Sequence, residues 1–225
     1  MVRQMFDDIS PKYDFLNHLL SFGIDRSWRN KLVKMVKRTN PATILDVATG
    51  TGDLAIALVR TGATRIRGVD ISEQMLAVGI KKVADAGLDK LISFNTGDAE
   101  HLPFSDASFD VVTVAFGVRN FSDLAMGIRE MRRVLKPGGK VYILEFSHPQ
   151  SFPVKQLYHI YSRYFIPFAG KLISGNAMAY SYLPESVAAF PSGRDFVAIL
   201  HQEGLENCGF RPLSSGIASI YSGQK

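Results

Sequence analysis

Three acids stand at the ends of three successive short apolar runs: Asp46, Asp70 and Asp98. Asp46 opens the turn Asp46-Val47-Ala48-Thr49-Gly50-Thr51-Gly52-Asp53. Glycines such as Gly50 and Gly52 let the backbone turn sharply and approach a ligand, and open α/β sheets bind ligands at the carboxyl ends of strands. Asp70 follows Gly52 by eighteen residues, where a carboxylate can accept from both hydroxyls of a ribose. Asp98 can accept from the exocyclic amine of an adenine, and the small side chain of Ala99 beside it leaves room for the ring. The segment Gly50-x-Gly52-x-x-Ala55 also satisfies the dinucleotide fingerprint, which would make the chain an NAD enzyme. Asp46 separates the two readings. A carboxylate on the rim of the glycine turn repels a pyrophosphate and favours an ammonium group, so the charge pattern fits S-adenosylmethionine better. Any one of these acids would serve equally as a helix cap or turn residue; three at consecutive strand ends are harder to explain that way.

Positioning these groups requires a particular set of elements. From residue 43 to 146, β-branched or apolar runs alternate with helical patterns, as in a mainly parallel α/β sheet with helices on both faces. Strands are predicted at residues 43–47, 65–70, 91–96, 109–116 and 140–146. Helices are predicted at 53–61, from a Ser72 cap to Gly87, and from a Ser122 cap through Leu124, Ile128, Met131 and Leu135 until Pro137-Gly138-Gly139. Two helices are predicted before the sheet. The second has Trp28, Leu32, Met35 and Val36 on one face, and Arg26, Arg29, Lys31, Lys34, Lys37 and Arg38 mostly on a solvated one. A helix near 193–206 and an antiparallel edge hairpin around 210–223, bent at Ser214-Ser215-Gly216, close the chain. The expectation is one domain: an N-terminal helical cap (1–40), a cofactor-binding core (43–146), an aromatic substrate cap (150–190), and a C-terminal helix with edge strands (193–225).

Of 225 residues, 46% are hydrophobic and 21% charged, which excludes a disordered or disulfide-scaffold chain. Cys208 is the single cysteine, so no internal disulfide forms and a reducing compartment fits. The net charge of +5 falls short of a dedicated nucleic-acid binder, and no nucleic acid is expected. The non-enzymatic rival is an RNA module using the basic helix. The five histidines show no metal-ligand spacing, so no metal is expected. The longest run without charged residues, 172–184, is shorter than the roughly 18 residues needed to span a bilayer. Residues 1–10 lack a signal-type apolar stretch, and a cytoplasmic protein is expected.

Across nearly its whole length the chain resembles the menaquinone/ubiquinone biosynthesis C-methyltransferase family. The matching segments are Tyr13-Asp14-Phe15-Leu16-Asn17 continuing to Ser21-Phe22-Gly23 and Trp28, then residues 46–53, Phe116-Gly117-Val118-Arg119-Asn120, and Arg133-Val134-Leu135-Lys136-Pro137-Gly138-Gly139. The glycine turn and the Leu-Lys-Pro-Gly-Gly segment specify methyltransferases in general. The Tyr-Asp-x-x-Asn and Phe-Gly-x-Arg-Asn segments point to the quinone branch. The resemblance implies a Rossmann-like class I S-adenosylmethionine-dependent fold with a seven-stranded sheet. It also implies methylation of a ring carbon of a prenylated hydroquinone, demethylmenaquinol foremost, with a benzoquinol or another small aromatic or lipid acceptor as the alternative. It places the cofactor at Thr51, Asp70, Asp98 and Ala99. Two positions depart from the family pattern: Asp25 stands where His is frequent, and Ala115 where a Ser often touches the cofactor, which leaves a backbone contact there.

Methyl transfer to a ring carbon needs collinear positioning and an electron-rich acceptor, which a base or a cation beside the phenolate would supply. Arg119 directly follows the fourth strand and is the first choice for that electrostatic role; pairing with a carboxylate merely to brace its loop is the plainer alternative. Asn120, Tyr13 and His148 complete the catalytic candidates, His148 as a proton acceptor near neutral pH or an ordinary turn residue. Tyr13, Asp14 and Asn17 lie in the N-terminal helix that closes over the cofactor in this family, and could equally be packing residues. The aromatic stretch Leu157, Tyr158, Ile160, Tyr161, Tyr164, Phe165, Ile166 and Phe168 is either buried under the cap or lines the way in for an isoprenoid tail at a membrane surface. Lys155, Arg163 and Lys171 would favour anionic headgroups there. Peripheral membrane contact and a homodimer are left open.

Overall fold

The computed structural model describes Gln4, Asp7, Ser10, Asp14 and residues 21–149, 152–161 and 177–225. Seven strands form one sheet: β1 (Thr43–Val47), β2 (Arg65–Asp70), β3 (Ile92–Thr96), β4 (Phe109–Ala115), β5 (Leu135–Phe146), β6 (Glu206–Leu213) and β7 (Ala218–Gln224), in the order β3-β2-β1-β4-β5-β7-β6. The first five run parallel, and the β6–β7 hairpin adds antiparallel to β5, bent through Ser214–Gly216 as expected. The order reverses between β1 and β4, which creates a crevice at their carboxyl ends.

Successive residues of the central strands serve opposite faces. Ile44, Val111, Tyr142 and Leu144 pack under α1 (Ile24–Lys37), α2 (Asp53–Leu58) and α3 (Glu73–Asp85), against Trp28, Leu32, Leu54, Leu58 and Val83. Leu45, Val112, Val141 and Ile143 pack under α4 (Leu124–Val134) and α7 (Arg194–Gln202), against Ile128, Met131, Phe196 and Leu200. Between β5 and α7 lie α5 (Val154–Ile160) and α6 (Ala177–Ala189).

The structure moves several boundaries. Ser72 caps α3 through the Met75 N–H, as expected. The cap of α4 is Asp123, not Ser122: the Asp123 carboxylate accepts from the Met126 N–H at 2.9 Å, and the Glu100 carboxylate accepts from the N–H of both residues. Leu135 begins β5 rather than ending α4, since Pro137 cannot continue a helix and biases the chain before it toward extended backbone. The predicted helix at 53–61 tightens into a 3₁₀ turn after Leu58. The predicted last helix ends at Gln202, and Glu206 already pairs in β6. Arg29, expected with the solvated cations of α1, turns inward, whereas Arg26, Lys31, Lys34, Lys37 and Arg38 are exposed.

Candidate active site

At the switch point the backbone bends where its residue types resist it. Ala48 and Phe116, directly after β1 and β4, hold positive φ of 50° and 60°. Such conformations cost about 1–3 kcal/mol each in a non-glycine residue and cluster at functional sites. Between them Gly117 sits so close that a Cβ would meet the Ala48 Cβ at 2.6 Å, so only glycine lets the two loops close there. Gly52, at φ 81°, opens α2.

These loops wall a cleft of about 150 Å³ that brings together Gly50, Asp70, Asp98, Ala99, Ala115 and Asn120 from four separate strand ends. Asp70 accepts from the Gly50 N–H at 2.7 Å through one oxygen and from the Ser72 N–H at 2.9 Å through the other. Each oxygen retains a lone pair for a ligand. Burial pushes the Asp70 pKa up, although those N–H groups oppose the shift. Asp98 fixes its own turn by accepting from the Glu100 N–H.

A smaller recess shares Ala48, Gly50, Ala115 and Phe116 with this cleft and adds Asp46, Thr49 and Thr51. Asp46 and Thr113 are partners in the β1–β4 register, which explains why the Thr113 hydroxyl donates to Asp46 at 2.8 Å; Thr49 donates to the other oxygen at 2.7 Å. Burial at 1% exposure pushes the Asp46 carboxyl up to about 7 despite both hydroxyls. Around this acid runs a chain of charges. Arg29 pairs with Asp25 at 2.5 Å and with Asp53 at 3.6 Å; Lys82 joins Asp53 and, at 2.9 Å, Asp14. Asp14 also accepts from the Thr51 hydroxyl at 2.5 Å, and Asp7 from Ser72 at 2.5 Å, so the N-terminal segment is fastened to the glycine turn and to the start of α3. Thr51 therefore spends its hydroxyl on Asp14. Asp25 is buried, accepting from Ser21 at 2.7 Å and holding Arg29.

Beyond Phe116 the chain enters a 3₁₀ turn, Val118–Asn120. Arg119 is buried there, donating to the Phe116 carbonyl at 2.5 Å and pairing with Glu145 of β5 at 2.8 Å, with its guanidinium 5.4 Å from the Phe146 ring. The loop is braced in this way. Among the described residues, Arg119 Nε is a buried side-chain nitrogen without a hydrogen-bond partner, leaving a donor for a ligand. Burial raises the Glu145 pKa, and Arg119 counters it. Asn120 accepts from the Tyr182 hydroxyl of α6 at 3.0 Å, which ties the described part of the cap to the cleft. His148 lines a different cavity, between α5 and α6. Tyr13, Leu16, Asn17, His18 and the part of the aromatic stretch from Arg163 to Lys171 lie outside the described residues.

Sequence reasoning missed Glu145, Arg29, Lys82 and Tyr182. A signal for Glu145 existed: a carboxylate inside the apolar run of a central strand is costly unless paired, and so announces a buried cation. Among the described residues no cluster of His, Cys, Asp and Glu suits a metal, and no helix is long and apolar enough to cross a membrane.

The model of the ubiE/COQ5 methyltransferase family matches residues 1–225. The chain is 49% identical over 225 residues to a demethylmenaquinone methyltransferase of Bacteroides fragilis, covering 100% of this chain and 92% of that one. It is 47% identical over 226 residues to the ubiquinone/menaquinone biosynthesis C-methyltransferase UbiE of Geotalea daltonii, covering 100% and 96%. Among solved structures it is similar to a possible histamine N-methyltransferase from Thermotoga maritima, with a TM-score of 0.67, 18% identity and 99% coverage of both chains. It is also similar to a putative S-adenosyl-L-methionine-dependent methyltransferase from Methanococcus maripaludis, with a TM-score of 0.64, 24% identity and coverage of 95% and 92%. These two likenesses support the Rossmann-like class I fold.

Proposed function

The chain belongs to the ubiE/COQ5 methyltransferase family, and from that premise we propose that it moves a methyl group from S-adenosylmethionine to a ring carbon of demethylmenaquinol. The observation that carries this reading is the pair of adjoining recesses at the β1–β4 switch point, each holding an acid at a strand end. The donor set fits the cofactor: Asp46 suits an ammonium group, Asp70 two ribose hydroxyls, and Asp98 with Ala99 an adenine. When bound, S-adenosylmethionine supplies an electrophilic methyl on a sulfonium. Transfer would leave S-adenosylhomocysteine, and the proton displaced from the ring carbon would pass to solvent water.

The chain's own part is positioning and charge. Arg119 stays protonated and offers Nε–H to the oxyanion that makes the ring nucleophilic, while Glu145 and Phe146 hold the guanidinium in place. Asn120, held by Tyr182, orients the acceptor against the cleft. Gly50, Gly52 and Ala115 bring backbone close to the cofactor, and the Thr51 hydroxyl holds Asp14 at the glycine turn. A lipid-tailed acceptor is met at a bilayer, where Lys155 and the exposed cations of α1 suit anionic headgroups. Co-sedimentation with phosphatidylglycerol vesicles, lost at high salt, is the expected sign of that contact; equal binding to neutral vesicles refutes it.

The deciding assay supplies labelled cofactor and reduced acceptors. Label should enter a prenylated naphthohydroquinone lacking the ring methyl, in preference to the matching benzohydroquinone. Preference for the benzohydroquinone shifts the reading to ubiquinone biosynthesis, and transfer to neither ring removes it.

A further inference from the structure

A cavity of about 540 Å³ lies between α5 and α6, apart from the cofactor recesses. Its described walls are apolar over most of their extent, Tyr158 and Ile160 from α5, Pro184, Val187 and Ala188 from α6, and Pro149 after β5, with His148, Lys155 and Gln156 as the polar remainder. That volume falls within the range of about 300–1,000 Å³ typical of small-molecule sites. One wall also reaches the candidate cleft: Tyr182 of α6, two positions before Pro184, donates to the cleft residue Asn120 at 3.0 Å. On the facing wall, burial raises the Tyr158 pKa and the charge of Arg119 opposes that shift. Away from Arg119, Leu157 and Ile160 are 62% and 56% exposed and sit three residues apart on one face of α5, so an apolar path continues to the surface. Phe22, 6.0 Å from Tyr161 between ring centroids, extends that rim onto the start of α1.

We propose that this cavity holds the isoprenoid tail of the acceptor, with the ring beside Tyr158 and Arg119 and the tail leaving over Ile160. The assignment rests on the prenylated-hydroquinone reading above and gives it a tail site. A polyprenyl chain offers only apolar surface, and burying it against proline, valine, isoleucine and an aromatic face is favourable in proportion to the area removed from water. The two cap helices thereby act as a ruler for lipid substrates, while the cofactor cleft is indifferent to the tail.

The test compares steady-state kinetics on unsubstituted naphthohydroquinone and on the same ring bearing a geranylgeranyl chain. In the unaltered protein the tailed acceptor should have a KM at least tenfold lower. Ala188→Trp fills the cavity from an exposed position, and Ile160→Asp places a charge on the path out; both residues are exposed, so neither change disturbs the core. Each variant should abolish the tail's advantage, with kcat and the tailless KM unchanged. Equal KM for both acceptors in the unaltered protein, or a full advantage retained in both variants, overturns the tail assignment alone. Absence of turnover on either ring, with S-adenosylhomocysteine still binding, removes the functional reading and the tail assignment with it.

Discussion

The cleft at the ends of β1 to β4 is lined by residues at or just past strand ends, Asp70 and Asp98 among them. Arg119, just past β4, is held by a side chain of β5, and its neighbour Asn120 by a side chain of α6. The first half is held by short-range geometry: Gly50 donates to Asp70, Thr49 to Asp46, and two loops cross at Gly117. The second half is held by one buried ion pair, Arg119 with Glu145, and by a phenol that reaches across 62 positions to an amide. A site made of backbone survives change in the surrounding helices, whereas a site made of distant side chains changes with them. On the proposed reading, methyl donor and acceptor would be recognised by different kinds of construction.

The sharpest way to break this contrast is Glu145→Ala. It leaves the Arg119 charge buried without its partner, which should lower stability by about 3–5 kcal/mol in chemical denaturation. S-adenosylhomocysteine affinity measured below the transition should stay within a few-fold; an equal loss of affinity would mean the two halves are one unit. Asp70→Ala is the converse experiment. It removes two hydrogen bonds to a charged acceptor, each worth about 1.5–3 kcal/mol, so calorimetry should find cofactor binding weaker by roughly 10²–10⁴-fold with little effect on the acceptor's KM.

Asp46 sharpens the contrast through pH. Its folded pKa of about 7 exceeds the ordinary 3.8, so the protonated acid is what the unliganded fold prefers. The stability it contributes is fully present below about pH 4 and is lost as pH rises through 7, by at most about 1.4 kcal/mol per unit. A cationic ammonium needs the ionised form, so cofactor affinity should climb by up to about tenfold per unit below pH 7 and level off above it. In Asp46→Asn that slope should be flat. The smallest effect belongs to Tyr182→Phe, which deletes one hydrogen bond to Asn120. About 1 kcal/mol, a several-fold rise in the acceptor's KM at unchanged cofactor affinity, is expected from kinetics.

The same division explains what could be read from the chain alone. Strands β1 to β4 fell within a residue of their expected places, because a run such as Val111 to Val114 is buried on both faces and is apolar but for Thr113, whereas β5 begins at Leu135, five residues before its expected start. Ser72 was legible as a cap since its hydroxyl accepts from an N–H three residues on, whereas Ser122 and Asp123 stand side by side before the same helix and the letters alone do not choose between them. Asp46, Asp70 and Asp98 announced themselves by recurring at strand ends. Arg29 did not: helical spacing put it among the cations of α1, and although Asp25 stands four residues before it, the contact with Asp53 is set only by the fold. Glu145 left a signal as a carboxylate in an apolar strand, but which cation answers it, 26 residues earlier, is set by the fold.

Trp28 is the only tryptophan in the sequence, and it is 3% exposed, with its ring 6.1 Å from Phe116 and 6.2 Å from Phe146. Phe116 walls both recesses, and Phe146 lies beneath the Arg119 guanidinium. The protein therefore carries its one tryptophan directly behind the candidate cleft, where its emission can be excited apart from the tyrosines. Its emission maximum and quenching should follow ligand occupancy without any attached dye, and a stopped-flow trace of that one signal would time the arrival of cofactor and of acceptor separately.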